Sequence, residues 1–376
     1  MAWSWASKVR HAALLLGGLL AAVPPVYASL TEAEQRARIA LEVSDSEERL
    51  QNSGLLVNDP ALNAYLQEIT DRLFPDHKSE LHVRAFLDSE FNAFTMPSGS
   101  IYFNTGALLR IRDEAELASV LGHEGTHYTA DHAYRERVHN KHAATAALIG
   151  NLALPILSSV IGVSSMAGYS RDNEREADQG GFDRMSRCGY DPKAGSELFG
   201  LLDRELTVRA MTHGGYFWAD HPAVKERITN LSVMATAHPA GTERNQDRYL
   251  AVTEHARLQA LSTIHRRLDG KLLVFLLGDE KLVDSLPPRA HFYLAEGYRL
   301  RGSAGDGERA LAEYASAIRL APEDPDAYQA LGLRYMHDNK KSDALAMLRK
   351  YVELEHDPAR SAYAQQYIQT MQGEAQ

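Results

Sequence analysis

Apolar positions Leu117, Val120 and Leu121 recur at helical spacing and run straight into a cluster of histidines and acids, which predicts a helix over about 113–132. Asp113 followed by Glu116 reads as an N-cap with a capping box, and Glu114 adds negative charge to the first turn. A second helix is predicted from Arg171, with Ser170 as its N-cap; it stops before Gly189, and Pro192 lies beyond. Between the two, segment 143–169 carries no charged residue and is rich in Ala, Leu, Ile and Val. Its length would suffice for a bilayer, but Gly150-Asn151, Pro155, Ser158-Ser159 and Ser164-Ser165 interrupt it. It therefore reads as an apolar hairpin, buried or in peripheral contact with a membrane. In 81–87, His82 and Arg84 alternate with Val83 and Ala85, the period of a strand, and 100–104 predicts another.

Beyond Pro287 the pattern changes to alanine, leucine and tyrosine at helical spacing. Ala310, Tyr314 and Ala317 recur as Ala344, Leu348 and Tyr351 after 34 residues, the tetratricopeptide period. Tyr328, Leu331-Gly332 and Tyr335 complete the second copy. Leu294 and Tyr298 begin the first, with three extra residues in the turn 302–307, and Pro322 closes it. A stable solenoid normally needs at least about three stacked units. Helices implied at 248–267 and 271–285, or the neighbouring domain, are expected to cover the open end, and a helix at 360–371 would cap the other. Such arrays present a concave surface to peptides or partner proteins.

At the other end, Lys8, Arg10 and His11 precede an apolar run over 12–23 and the small-residue site Val26-Tyr27-Ala28. This is the pattern of a secretory signal peptide cut after Ala28, with an apolar core too short for the roughly 20 residues of a span. The expected division is a signal peptide at 1–28, an α+β domain (mostly helical, with a small β-sheet) at 29–245, a helical connector at 246–286 and an all-α repeat domain at 287–376. Cys188 is the single cysteine, which excludes an internal disulfide and a multi-thiolate metal site. Forty basic against fifty acidic residues give a net charge of −10 without a basic stripe, which argues against a nucleic-acid partner.

The candidate chemistry lies on the two central helices. His123-Glu124-Gly125-Thr126-His127 places two imidazoles at i and i+4, where both reach one metal ion, and Glu124 beside them can take a proton from water at that metal. Gly125 costs the helix about 1 kcal/mol against Ala, which hints at close packing there. Zinc needs a third protein ligand and one open position. Glu174 and Asp178 share a face of the second helix, Glu174 able to ligate and Asp178 able to orient a ligating histidine. Glu176, two residues from Glu174, faces elsewhere and is the weaker ligand candidate. Tyr216, His221 and Arg227 are candidates for stabilising an oxyanion. His221, in Asp220-His221-Pro222, could instead approach the metal and hold the site latent, or simply be a hydrogen-bonded loop residue.

These motifs resemble the Glu-type zincins, and more specifically the HtpX-like and CAAX-prenyl-protease-like zinc metallopeptidases. The likeness takes in Asn92-Ala93-Phe94-Thr95-Met96-Pro97-Ser98-Gly99 ahead of the first helix, Ser170-Arg171, Gly189-Tyr190-Asp191-Pro192, His221-Pro222 and Arg227-Ile228, over about 55–231. Thr95, Met96, Ser98 and the Gly125-Thr126 pair depart from the family pattern without removing a chemical group. The resemblance implies an α+β zincin metallopeptidase domain holding one Zn2+ per chain on His123, His127 and Glu174, with Glu124 as general base. It also implies that one of the two strands lies at the sheet edge over the cleft, where an extended substrate could add. Joined to a tetratricopeptide-type array behind a signal peptide, the whole is similar to exported periplasmic members. That implies misfolded or stalled envelope proteins as substrates and the outer-membrane barrel-assembly machinery as partner. A latent or non-proteolytic chaperone using the repeat domain is the alternative.

Overall fold

The computed structural model describes residues 31–139, 169–209, 224–238, 241–280 and 282–373. The signal peptide expected at 1–28, the apolar segment up to residue 168, Tyr216 and His221 lie outside the described residues. No helix among the described residues is long and apolar enough to cross a membrane. The chain is mostly helical, with one small sheet.

Helix α1 (Glu32–Gln51) starts at a capping box between Thr31 and Glu34. In α2 (Pro60–Leu73), Asp59 caps the first turn and Pro60 supplies a preset φ; Leu62, Leu66, Ile69 and Leu73 form its buried stripe. The sheet comprises β1 (His82–Phe86), β2 (Ala93–Thr95) and β3 (Ser100–Asn104) in the order β1-β3-β2. β1 runs parallel to β3 with His82 opposite Ser100, while β2 is antiparallel with Ala93 opposite Phe103. Gly99, at φ +92°, makes the turn into β3, and a Cβ there would lie 2.2 Å from the Glu80 carbonyl, so only glycine fits.

The expected edge is therefore corrected. Ser100–Asn104 is the central strand and His82–Phe86 the far one. The edge beside the histidine helix is Ala93–Thr95, whose Thr95 hydroxyl bonds to Glu124. Sequence pattern missed it because all three residues are buried and show no alternation.

After α3 (Thr105–Arg110) comes α4 (Glu114–Thr129), which carries the histidine motif. Asp113 caps it as expected, accepting from the Glu116 N–H at 2.9 Å. The other half of the capping box does not form: the Glu116 carboxylate takes the Arg112 N–H at 2.7 Å and the Arg112 guanidinium instead. The helix also ends before the expected 132, because Asp131 adopts a left-handed conformation, φ 57°, and α5 (His132–His139) starts in a new direction.

Helix α6 (Arg171–Arg187) begins at Ser170, which accepts from the Asn173 N–H. It crosses α4 at glycines: a Cβ on Gly181 would lie 2.7 Å from the His123 nitrogen, and one on Gly122 would lie 3.0 Å from Gly181 Cα. The two backbones touch there. Helices α7 (Ala194–Val208) and α8 (Val224–Ala237) complete the surroundings of the site.

Helix α9 (Gln246–Arg266) belongs to two cores. Tyr249 and Ala256 pack with α2, α4 and the sheet, whereas Ala260, Leu261 and Ile264 pack with the helices that follow. The helix expected at 271–285 is shorter, α10 (Gly270–Leu277), closed by Gly278 and followed by a single tight turn at Val283–Ser285. The remainder is α11 (Pro288–Arg301), α12 (Asp306–Leu320), α13 (Pro325–His337), α14 (Lys341–Leu354) and α15 (Pro358–Gly373), each packed on the next. Ala310, Tyr314 and Ala317, and their counterparts Ala344, Leu348 and Tyr351, are all buried.

Candidate metal centre

The crossing of α4 and α6 brings three donors together. His123 Nε2 lies 3.0 Å from His127 Nε2, 3.6 Å from Glu174 Oε2, and His127 Nε2 lies 3.4 Å from Glu174 Oε1. Tetrahedral zinc with bonds of about 2.0–2.1 Å sets neighbouring ligand atoms about 3.3 Å apart, so this donor set fits the ion in both chemistry and spacing. All three side chains are buried. Burial, with the Arg227 guanidinium alongside, pushes His123 down to about 4, so its ring is neutral and has a lone pair to offer at pH 7.

Asp178 meets His123 from behind, Oδ1 to Nδ1 at 2.9 Å. With Nε2 committed to a shared metal, the ring proton sits on Nδ1 against this carboxylate; Arg227 Nη2 stands 3.0 Å from the same nitrogen while it donates to Asp178 Oδ1. Burial alone would raise the Asp178 carboxyl, but Arg227 and His123 hold it below its ordinary value. Arg227 is buried over the Phe199 ring, 4.3 Å from its centroid. Its Nε and Nη2 donate to the two Asp178 oxygens at 3.0 and 2.6 Å, and Nη1 lies 3.1 Å from Glu174 Oε2. The guanidinium thus ties the two α6 carboxylates together from α8.

Glu124 is fully buried beside the donors. Thr95, at the end of the edge strand, sets its hydroxyl 2.9 Å from the Glu124 carbonyl oxygen and 3.0 Å from Oε2. A crevice of about 30 Å³ beside Thr95 and His127, lined also by Met96, Pro97 and Tyr169 among others, has room for a water-sized molecule. Arg227 does not line that crevice. Gly125 is tightly packed, as its helix cost suggested: a Cβ there would lie 2.4 Å from the Phe74 ring.

Besides Thr95, two contributors escaped sequence reasoning. Tyr169 stacks on His127, with ring centroids 3.8 Å apart and planes 18° apart. His132 Nδ1 lies 2.9 Å from His127 Nδ1, and its Nε2 lies 3.2 Å from Glu176 Oε2. Glu176 does face away from the donors, as its spacing implied, but it faces His132. The only signal was a third histidine five residues after His127, and its meaning depends on the turn at Asp131.

Residues 58–235 match the model of peptidase family M48, a span that includes both histidines, Glu124, Glu174, Asp178 and Arg227. The chain is 29% identical over 292 residues to the putative beta-barrel assembly-enhancing protease of Vibrio cholerae serotype O1, covering 65% of this chain and 60% of that protein. It is 28% identical over 223 residues to the beta-barrel assembly-enhancing protease of Escherichia coli strain K12, covering 54% and 45%. A mitochondrial metalloendopeptidase, OMA1 of Schizosaccharomyces pombe, is 29% identical over 160 residues, 42% of this chain and 46% of that protein. The chain thus spans about half to 60% of the length of these relatives. With a buried pair of imidazoles and a carboxylate converging beside Glu124, and a match across that whole region, the chain carries a metallopeptidase domain of family M48 and is a homologue of the beta-barrel assembly-enhancing proteases.

Proposed function

We propose that this chain is a zinc-dependent endopeptidase of the bacterial periplasm that hydrolyses peptide bonds in misfolded or stalled envelope and outer-membrane proteins. The observation that carries the reading is the convergence of His123, His127 and Glu174 on one point next to the buried Glu124 carboxylate. Zinc, when bound there, supplies a Lewis acid that acidifies water and polarises a scissile carbonyl. Glu124 takes the proton of the attacking water and returns it to the leaving amine. Thr95 steadies that carboxylate through its hydroxyl, while Asp178 holds the His123 tautomer and Arg227 holds Asp178 and Glu174 in place. An extended substrate pairs with the edge strand Ala93–Thr95, which among the described residues pairs with β3 alone.

The helices of 287–376 form a tetratricopeptide-type module for substrate or partner. Support comes from the 34-residue recurrence of buried positions and from a groove of about 1080 Å³. The groove runs between α9, α11 and α13, with Phe292, Tyr293 and Leu333 beside Arg289, Arg334 and Arg360. The names of the relatives support barrel assembly as the setting and its machinery as a partner. The pattern at residues 8–28 supports export.

Glu124→Gln tests the enzyme directly. Wild type and variant should each retain one zinc by metal analysis, with casein cleavage reduced about 100- to 10,000-fold in the variant. A zinc-loaded wild type that cuts nothing would overturn the protease in favour of a scaffold.

A further inference from the structure

We propose that His132 and Glu176 form a relay that holds His127 in the tautomer a metal ligand needs. The inference deepens the metal-centre reading above and rests on it.

A neutral imidazole has one N–H and one lone pair. His127 Nε2 faces His123 Nε2 and Glu174, so its lone pair must lie there for a shared cation. Its proton is then on Nδ1. The atom facing Nδ1, at 2.9 Å, is His132 Nδ1, which must accept. The proton of His132 is therefore on Nε2, 3.2 Å from Glu176 Oε2, a carboxylate that can only accept. Arg135, with Nη1 3.1 Å from the same oxygen, anchors Glu176 in turn. Reversing the inner bond would leave a proton on His127 Nε2, pointing at the cation. One end demands a lone pair and the other accepts protons only, so every tautomer between them is determined.

The helix break has a purpose in this account. On a continuous helix, residue 132 would stand five positions after 127, about 140° around the axis at 100° per residue, and could not reach the His127 ring. Asp131, in its left-handed conformation, ends α4 and folds the chain back, so that a wholly buried His132 rests against the outer edge of His127. Asp is among the few non-glycine residues that tolerate this region, and Arg36 holds its carboxylate at 2.6 Å. The two ligand imidazoles are thereby supported in parallel: His123 by Asp178 directly, His127 by Glu176 through an intervening ring. His132 is a positioning residue.

The test uses the full chain, with zinc affinity measured by chelator competition and folding followed by thermal melting. His132→Phe keeps a ring but offers no acceptor, and it should weaken zinc binding about 10- to 100-fold. His132→Asn places an amide oxygen where Nδ1 stood and should recover most of that loss. Unchanged affinity in a zinc-binding Phe variant, with only its melting temperature lowered, overturns the relay. Equal losses in the Phe and Asn variants overturn it as well. Should the Phe variant fail to fold, nitrogen-15 shifts of histidine-labelled, zinc-loaded wild type decide. The proton should sit on Nε2 of His132 and Nδ1 of His127, and a His132 protonated on Nδ1 overturns the proposal. A wild-type chain that binds no zinc sinks the metal-centre reading itself, an outcome distinct from the others.

Discussion

The Thr95 hydroxyl lies within hydrogen-bonding distance of both the main-chain carbonyl and the carboxylate of Glu124, so a strand residue holds the carboxylate proposed as the base. Thr95→Val keeps the shape and removes the donor. A bond of this kind is worth about 1 kcal/mol net, so kcat/KM on an unfolded substrate should fall several-fold with zinc content unchanged. Single residues were legible where a fixed local period ties position to direction. The i, i+4 spacings of His123 with His127 and of Glu174 with Asp178 needed nothing but a helix, and the structure brings all four together. Thr95, His132 and Tyr169 were silent because each reaches the site through a strand edge, a reversed turn or a ring stack, none of which has a sequence period.

Between elements, the decisive contact is the glycine crossing of α4 and α6. Gly122 and Gly181 let the two backbones meet, so the spacing between the imidazoles and the α6 carboxylates follows the helix axes with no layer of side chains to absorb an error. On helix propensity alone, Gly181→Ala should stabilise α6 by about 1 kcal/mol. Its new methyl would instead lie 2.7 Å from the His123 nitrogen, so a net loss of about 1–3 kcal/mol is expected, with weaker zinc binding. A thermal melt and a zinc titration on the same sample check both. The existence of α4 and α6 was readable from their caps and apolar periods, but their crossing point was not. Glycines in a helix announce closeness without naming the partner, as with Gly125 against the Phe74 ring.

Across the whole molecule, α9 serves the metallopeptidase core with one half and the helical array with the other, so the segment 246–266 is a shared wall. His265 at its end bonds Glu296 of α11 at 2.7 Å, and Arg299 adds a second bond at 2.6 Å. Burial would raise the Glu296 carboxyl, but these bonds and the Tyr314 hydroxyl outweigh it and hold it down at about 2. Because the folded value lies below the unfolded one of about 4.3, the stabilisation is complete above that pH and fades as the pH falls toward 2. Glu296→Gln should therefore lower the melting temperature at pH 7, and the gap to wild type should narrow as the pH falls, to roughly half by about pH 3. The periodicity of the array showed in the chain, as did the helix at 248–267 that covers its open end; that the same helix also belongs to the first core did not, since an amphipathic period does not say which of two neighbours will use each half.

The short edge strand has a consequence for selectivity. A backbone ladder asks nothing of side chains; it asks only that the incoming chain have main-chain donors and acceptors not already engaged. A completed closed barrel has none to lend, while a late or derailed one does. On the proposed reading, in which an extended substrate adds to Ala93–Thr95, clients would be sorted by how far their own folding has progressed, with no code written in their residues.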